Sequence, residues 1–162
     1  MKKTSQLLSV ALLITVISGS LLAHCQVPCG IYGDKMRIDM LNEHITTIEK
    51  SMNQINELSG DAAKNMNQLV RWINNKDLHA DEFTEIVTYY FLTQRIKITE
   101  KTNAAFADYQ NKVTALHQMM VYSMKCKQTT DFENVNKLKS LVGEFEGMYF
   151  SKEDIKHLNE HK

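Results

Sequence analysis

The sequence predicts an all-α protein, an antiparallel four-helix bundle. Proline and glycine are scarce, one and six in 162 residues, too few for a loop-rich fold. Met, Lys, Glu, Asn and Leu are frequent, a mixture dominated by helix formers. Apolar residues then recur with helical period over successive segments joined by short connections, the pattern of antiparallel neighbours in a bundle.

The first helix carries Ile38, Leu41, Ile45, Ile48, Met52 and Ile55, alternately three and four apart, which places one apolar stripe on one face. Asp34 is its expected cap and Ser59-Gly60 its expected end. A second segment from Asp61 offers Met66, Leu69, Val70, Trp72 and Ile73. The pattern resumes at Phe83, Ile86, Val87, Tyr90 and Phe91 after the polar run Asn74-Asn75-Lys76-Asp77, which either breaks the helix or forms an exposed turn of it. A third helix over about 102–126 presents Phe106, Tyr109, Val113, Leu116, Met120 and Met124. Thr129-Thr130-Asp131 caps a fourth, with Val135, Leu138, Val142, Phe145 and Tyr149 inward. Ser151-Lys152-Glu153-Asp154 opens a short final helix. The Met and aromatic stripes are core, as is usual for such spacing.

Residues 1–23 have the layout of a secretory signal peptide. Lys2 and Lys3 precede an apolar run from Leu7 to Ile17, and Ser18-Gly19-Ser20-Leu21-Leu22-Ala23 follows. The run is too short for a transmembrane helix. A cut after Ala23 is expected, with a cut inside Ser18-Gly19-Ser20 as an alternative because Leu21 is bulky. A lipoprotein reading fits less well, since His24 stands where a small residue should precede Cys25. The expected location is therefore the periplasm or the extracellular space, with membrane contact only through the leader. The remaining 139 residues, 24–162, make one domain, with a short N-terminal segment 24–32 ahead of the bundle at 34–162. Loss of the two lysines takes the formal charge from 0 to −2, which gives no electrostatic footprint for nucleic acid.

The run His24-Cys25-Gln26-Val27-Pro28-Cys29-Gly30-Ile31-Tyr32-Gly33-Asp34 carries the chemistry. A chain that starts at His24 brings an α-amine, an imidazole, the Cys25 amide nitrogen and two thiols within six residues. The amine, the amidate and the two thiolates form an N2S2 set that can lie in one plane. That geometry suits Ni(II) or Cu(II), whereas zinc prefers a tetrahedron. The imidazole can approach from above the plane. Pro28 stiffens the loop that returns Cys29, and Gly30 permits close backbone approach beyond it. Anionic sulfur and amidate donors stabilise trivalent nickel and bring its couple within reach of mild one-electron partners. Tyr32 can present a phenolic O–H over the mouth.

His24-Cys25-x-x-Pro28-Cys29-Gly30-x-Tyr32 closely resembles the nickel hook that opens the mature chain of nickel superoxide dismutases. The resemblance implies a four-helix bundle assembled as a homohexamer, one nickel ion per subunit, and dismutation of superoxide by Ni(II)/Ni(III) cycling. It implies that His24 supplies the amine and the axial imidazole, Cys25 its amide nitrogen and thiolate, Cys29 the second thiolate, and Tyr32 the guard of the substrate approach. Three features depart from the family pattern. Gln26 stands where many members have an acidic residue. The acidic residue that orients the imidazole is best matched by Asp39, after a spacer one residue shorter. An arginine behind that carboxylate is also expected, and Arg71 and Lys76 are no more than candidates for that basic residue.

The competing reading is a non-catalytic exported bundle, with Cys25 and Cys29 in a disulfide or holding another transition metal such as zinc or copper. Cys126 has no partner pattern and reads as a structural thiol. His44, His79 and His117 lack metal-pair spacing, and His157 and His161 lie four apart in a charged tail where solvation is expected.

Overall fold

The computed structural model describes residues 30–160. Helix α1 spans Ile31–Leu58 and leads through a 3-10 turn at Ser59–Asp61 into α2, Ala62–Glu85. The chain continues without a break into a π-helical stretch, Ile86–Arg95. Helix α3 (Phe106–Gln128), α4 (Phe132–Tyr149) and the short α5 (Lys152–Glu160) complete it, and the described residues contain no strand. Helices α1 and α3 each pack on both α2 and α4, which closes an up-down-up-down bundle.

The α1 stripe is buried as its spacing requires: Ile38, Leu41, Ile45, Ile48, Met52 and Ile55 all face the core. The run Asn74–Asp77 does not interrupt α2, and Phe83, Ile86, Val87, Tyr90 and Phe91 continue its buried face. Val135, Leu138, Val142 and Phe145 fill the α4 side. Asp131 caps α4 through the Glu133 N–H at 3.0 Å. Ser151 and Asp154 form a reciprocal capping box at α5: the Asp154 N–H donates to Ser151 Oγ at 3.1 Å, and the Ser151 N–H to Asp154 Oδ2 at 2.9 Å.

Three expectations are corrected. Asp34 does not cap α1; Gly30 holds the cap position and Asp34 sits buried in the first turn. The face of α3 drifts in its second half, where Met119, Ser123 and Cys126 are buried and Met124 is half exposed. Small polar residues there let α3 approach α2 closely: Ser123 Oγ donates to the Ala80 carbonyl at 2.7 Å. Finally, Met66, Val70 and Ile73 are exposed, not core. The α3–α4 turn at Thr129–Asp131 lies level with Ile55, Ile73 and Lys76. The α1–α2 hairpin therefore overhangs the end of the bundle, and among the described residues no helix covers the apolar residues of α2 on the overhang.

Lys76 is buried to 3 % exposure and spends its charge on the fold. Its Nζ donates to the carbonyls of Cys126 and Lys127, at 2.5 and 2.6 Å, in the last turn of α3. These are acceptors that the helix cannot satisfy internally, and a cation there also meets the negative end of the helix dipole. Lys76→Met should lower the unfolding free energy by about 2–3 kcal/mol in urea titrations, since charge-assisted bonds are lost and two carbonyls are orphaned.

Candidate metal centre

Gly30 is the first described residue and follows directly on Cys29. Its φ of 96° and ψ of 177° lie in a region that residues with a Cβ rarely enter. A Cβ at this position would meet nothing within 4 Å, so glycine is required here by conformation and not by space. The Gly30 carbonyl accepts the first helical bond, from the Asp34 N–H at 2.8 Å.

Asp34 fixes this first turn to the rest of the bundle. Its Oδ1 accepts from the Tyr90 hydroxyl at 2.7 Å. Its Oδ2 accepts from Arg95 at 2.6 Å and from the Tyr149 hydroxyl at 2.9 Å. Arg95 Nε donates in turn to the Tyr149 oxygen at 3.1 Å, so the phenol both accepts and donates. The π-helix makes this possible. In an α-helix, residues five apart point about 140° from each other. Widening to i→i−5 bonding, seen in the Ile96 N–H to Phe91 carbonyl bond at 2.9 Å, brings Tyr90 and Arg95 to the same carboxylate. Beneath it Phe91 meets Tyr90, Phe145 and Tyr149 edge-on, with ring centroids 5.1, 5.1 and 5.5 Å apart. Each such pair adds about 0.5–1.5 kcal/mol beyond area burial.

The network sets the charge states. Burial and then the bond to Asp34 push the Tyr90 phenol well above its ordinary value. Burial works against the Arg95 cation, but its bonds to Asp34 and Tyr149 outweigh that and hold it charged. Tyr149 is pushed up to about 12, by burial first; the Arg95 bond lowers it and the bond to Asp34 raises it.

His24, Cys25 and Cys29 lie outside the described residues, as do the proposed leader and His161. Tyr32 is 52 % exposed on the first turn of α1, with its ring centroid 5.8 Å from that of His157 on α5. It opens onto a groove of about 710 Å³ between α1 and α5, which Asp39 also lines. Asp39 is exposed and its Oδ1 is held by Lys35, which also reaches Glu146 at 3.3 Å. Arg71 lies more than three helical turns from Asp39, past Ser51 and Asn75 on the α1–α2 pair, and Lys76 is committed to α3. Neither stands behind Asp39. Two arginines lie at this end of the bundle: Arg37, whose guanidinium sits 5.1 Å from the centroid of the Tyr90 ring, and Arg95, whose carboxylate is Asp34. Nothing in the spacing announced that pair, since 61 residues separate its members.

Cys126 is fully buried, and burial, partly offset by Lys76, raises its thiol to about 11. It remains protonated at neutral pH and serves packing. Two predictions follow from the Asp34 network. Asp34→Asn should cost about 3 kcal/mol of stability by chemical denaturation, because it strips the partner from a largely buried cation. A phenol raised in the folded state contributes stability that is intact below the unfolded value near 10 and lost as pH climbs through about 12. Alkaline unfolding followed by circular dichroism should therefore be shallower between about pH 10 and 12 in Tyr149→Phe than in the parent.

No curated protein and no solved structure gives a significant match. The family model described as nickel-containing superoxide dismutase matches residues 20–153, from just before the histidine–cysteine run to the first turn of α5. That match covers most of the chain, and the chain belongs to the nickel-containing superoxide dismutase family, with nickel as cofactor and superoxide as substrate.

Proposed function

We propose that the nickel of this dismutase is held by His24, Cys25 and Cys29 at the free N-terminus of a processed, exported chain. The donor chemistry fits the ion: the Cys25 and Cys29 thiolates, the Cys25 amidate and the His24 amine and imidazole would hold it, an electron-rich nitrogen and sulfur set that suits divalent nickel. When bound, nickel supplies one-electron cycling between its divalent and trivalent states. The balanced reaction takes two superoxide ions and two protons to dioxygen and hydrogen peroxide. Gly30 carries the observation behind this assignment, since its backbone turns the chain between Cys29 and a helix that Asp34 holds rigid.

The other side chains bind and orient. Tyr32 presents its phenol to the approach, exposed enough to meet a small anion and flanked by His157. Asp39 is the carboxylate assigned to the His24 imidazole; Lys35 holds Oδ1, and Oδ2 is the atom given that role. The homohexamer expected from the resemblance is supported by the overhanging hairpin, whose Met66, Val70 and Ile73 are 41–56 % exposed. A second copy of the chain is the occupant we assign to that stripe.

Cys29→Ser should leave the helical circular dichroism unchanged, abolish nickel retention by metal analysis, and remove superoxide decay above background. A variant that dismutates at the parent rate would overturn the ligand assignment. A mere disulfide protein would lose stability instead, with no nickel-dependent activity to lose. For the assembly, Val70→Glu with Ile73→Glu should shift light scattering of the nickel-loaded protein from a hexamer towards smaller species.

A further inference from the structure

About 21 Å along α1 from Gly30, His44 turns towards α2, where His79 and Glu82 share one face at i and i+3. The Nδ1 atoms of the two histidines are 2.9 Å apart. Glu82 Oε2 lies 3.5 Å from each of them. A hydrogen bond between the rings accounts for the first distance. It leaves Glu82 equidistant from both rings and too far for a good bond to either. A shared ion accounts for all three distances. The circle through the three donor atoms has a radius of about 1.9 Å, against Zn–N and Zn–O distances of about 2.0–2.2 Å. An ion bonded to all three would sit less than about 1 Å above their plane.

The surroundings suit a cation. A hollow of about 260 Å³ beside the pair is lined by Glu82, Glu85 and a single arginine, Arg37, and Glu43 adds a third carboxylate to the field at His44. Burial, with His79 adding to it and Glu82 and Glu43 opposing, lowers the pKa of His44, the direction that favours the neutral ring a ligand requires. We propose that His44, His79 and Glu82 form a second metal site that takes one borderline divalent cation, with Zn2+ as the probe, between α1 and α2. Two imidazoles and a carboxylate lack the thiolates that stabilise trivalent nickel, so this ion clips two helices together and does no redox work. The proposal is independent of the hook assignment.

The test uses the full chain carrying Cys25→Ser and Cys29→Ser, which removes the competing thiolates, titrated calorimetrically with Zn2+. One ion per chain should bind, and the thermal midpoint should rise by mass action. Adding Glu82→Gln, at a side chain 44 % exposed and so tolerant of change, should weaken binding at least tenfold and abolish the thermal shift. His79→Gln should do the same, while His157→Gln should change neither. Absence of Zn2+ binding in the thiol-free chain would overturn the proposal. So would binding that survives Glu82→Gln and His79→Gln, or that disappears with His157→Gln.

Discussion

One buried carboxylate holds the working end of this molecule together. Asp34 is 3 % exposed and accepts bonds from Tyr90, Arg95 and Tyr149, so two segments distant in sequence, the π-helix and the end of α4, converge on the first turn of α1. A charge taken that far out of water is tolerable only because a guanidinium and two hydroxyls replace the water it loses. The same requirement explains the π-helix. The widened turn gives up regular α-helical bonding over ten residues, and in return Tyr90 and Arg95 reach one carboxylate.

This anchoring bears directly on catalysis. A metal couple responds to small displacements of its ligands, and the ligands proposed here directly precede α1, so the rigidity of α1 bears on them. Gly30 supplies the turn, Asp34 pins the next turn, and the aromatic cluster of Phe91, Phe145 and Tyr149 keeps that pin from shifting. The second site lies on the face of α1 next to the groove at Tyr32, and Met40 lines both hollows. The metal chemistry proposed ahead of α1 and the helix fastening proposed at His44 thus share no donors.

Much of this was legible in the sequence, for identifiable reasons. The α1 stripe was readable because six apolar residues at strict three-four spacing admit one helical face. The hook could be proposed from the sequence alone because donor atoms adjacent in sequence need no fold to bring them together; its donors lie outside the described residues. What the sequence hid depends on tertiary approach. Asp34 looked like a cap because a short acidic residue beside a helix start usually is one; its burial follows from Arg95, 61 residues on. His44 and His79 lack local spacing because their 2.9 Å approach arises across a helix pair. Ser123 and Cys126 escaped the hydrophobic pattern because close helix contact there favours small side chains over large apolar ones. Met66, Val70 and Ile73 misled in the opposite sense: periodicity shows that a face is apolar, not what covers it.

The central claim is that the α-amine of His24 is a metal ligand, which couples processing of the chain to metal loading. With residues 1–23 attached, that nitrogen is an ordinary amide and the donor set is incomplete. The direct measurement compares a chain beginning at His24 with one bearing a single additional residue before it. Both are loaded with nickel, and superoxide decay and bound nickel are measured on each. The account predicts full activity in the first, and a folded, weakly nickel-binding and nearly inactive second. Equal activity in the two would contradict it.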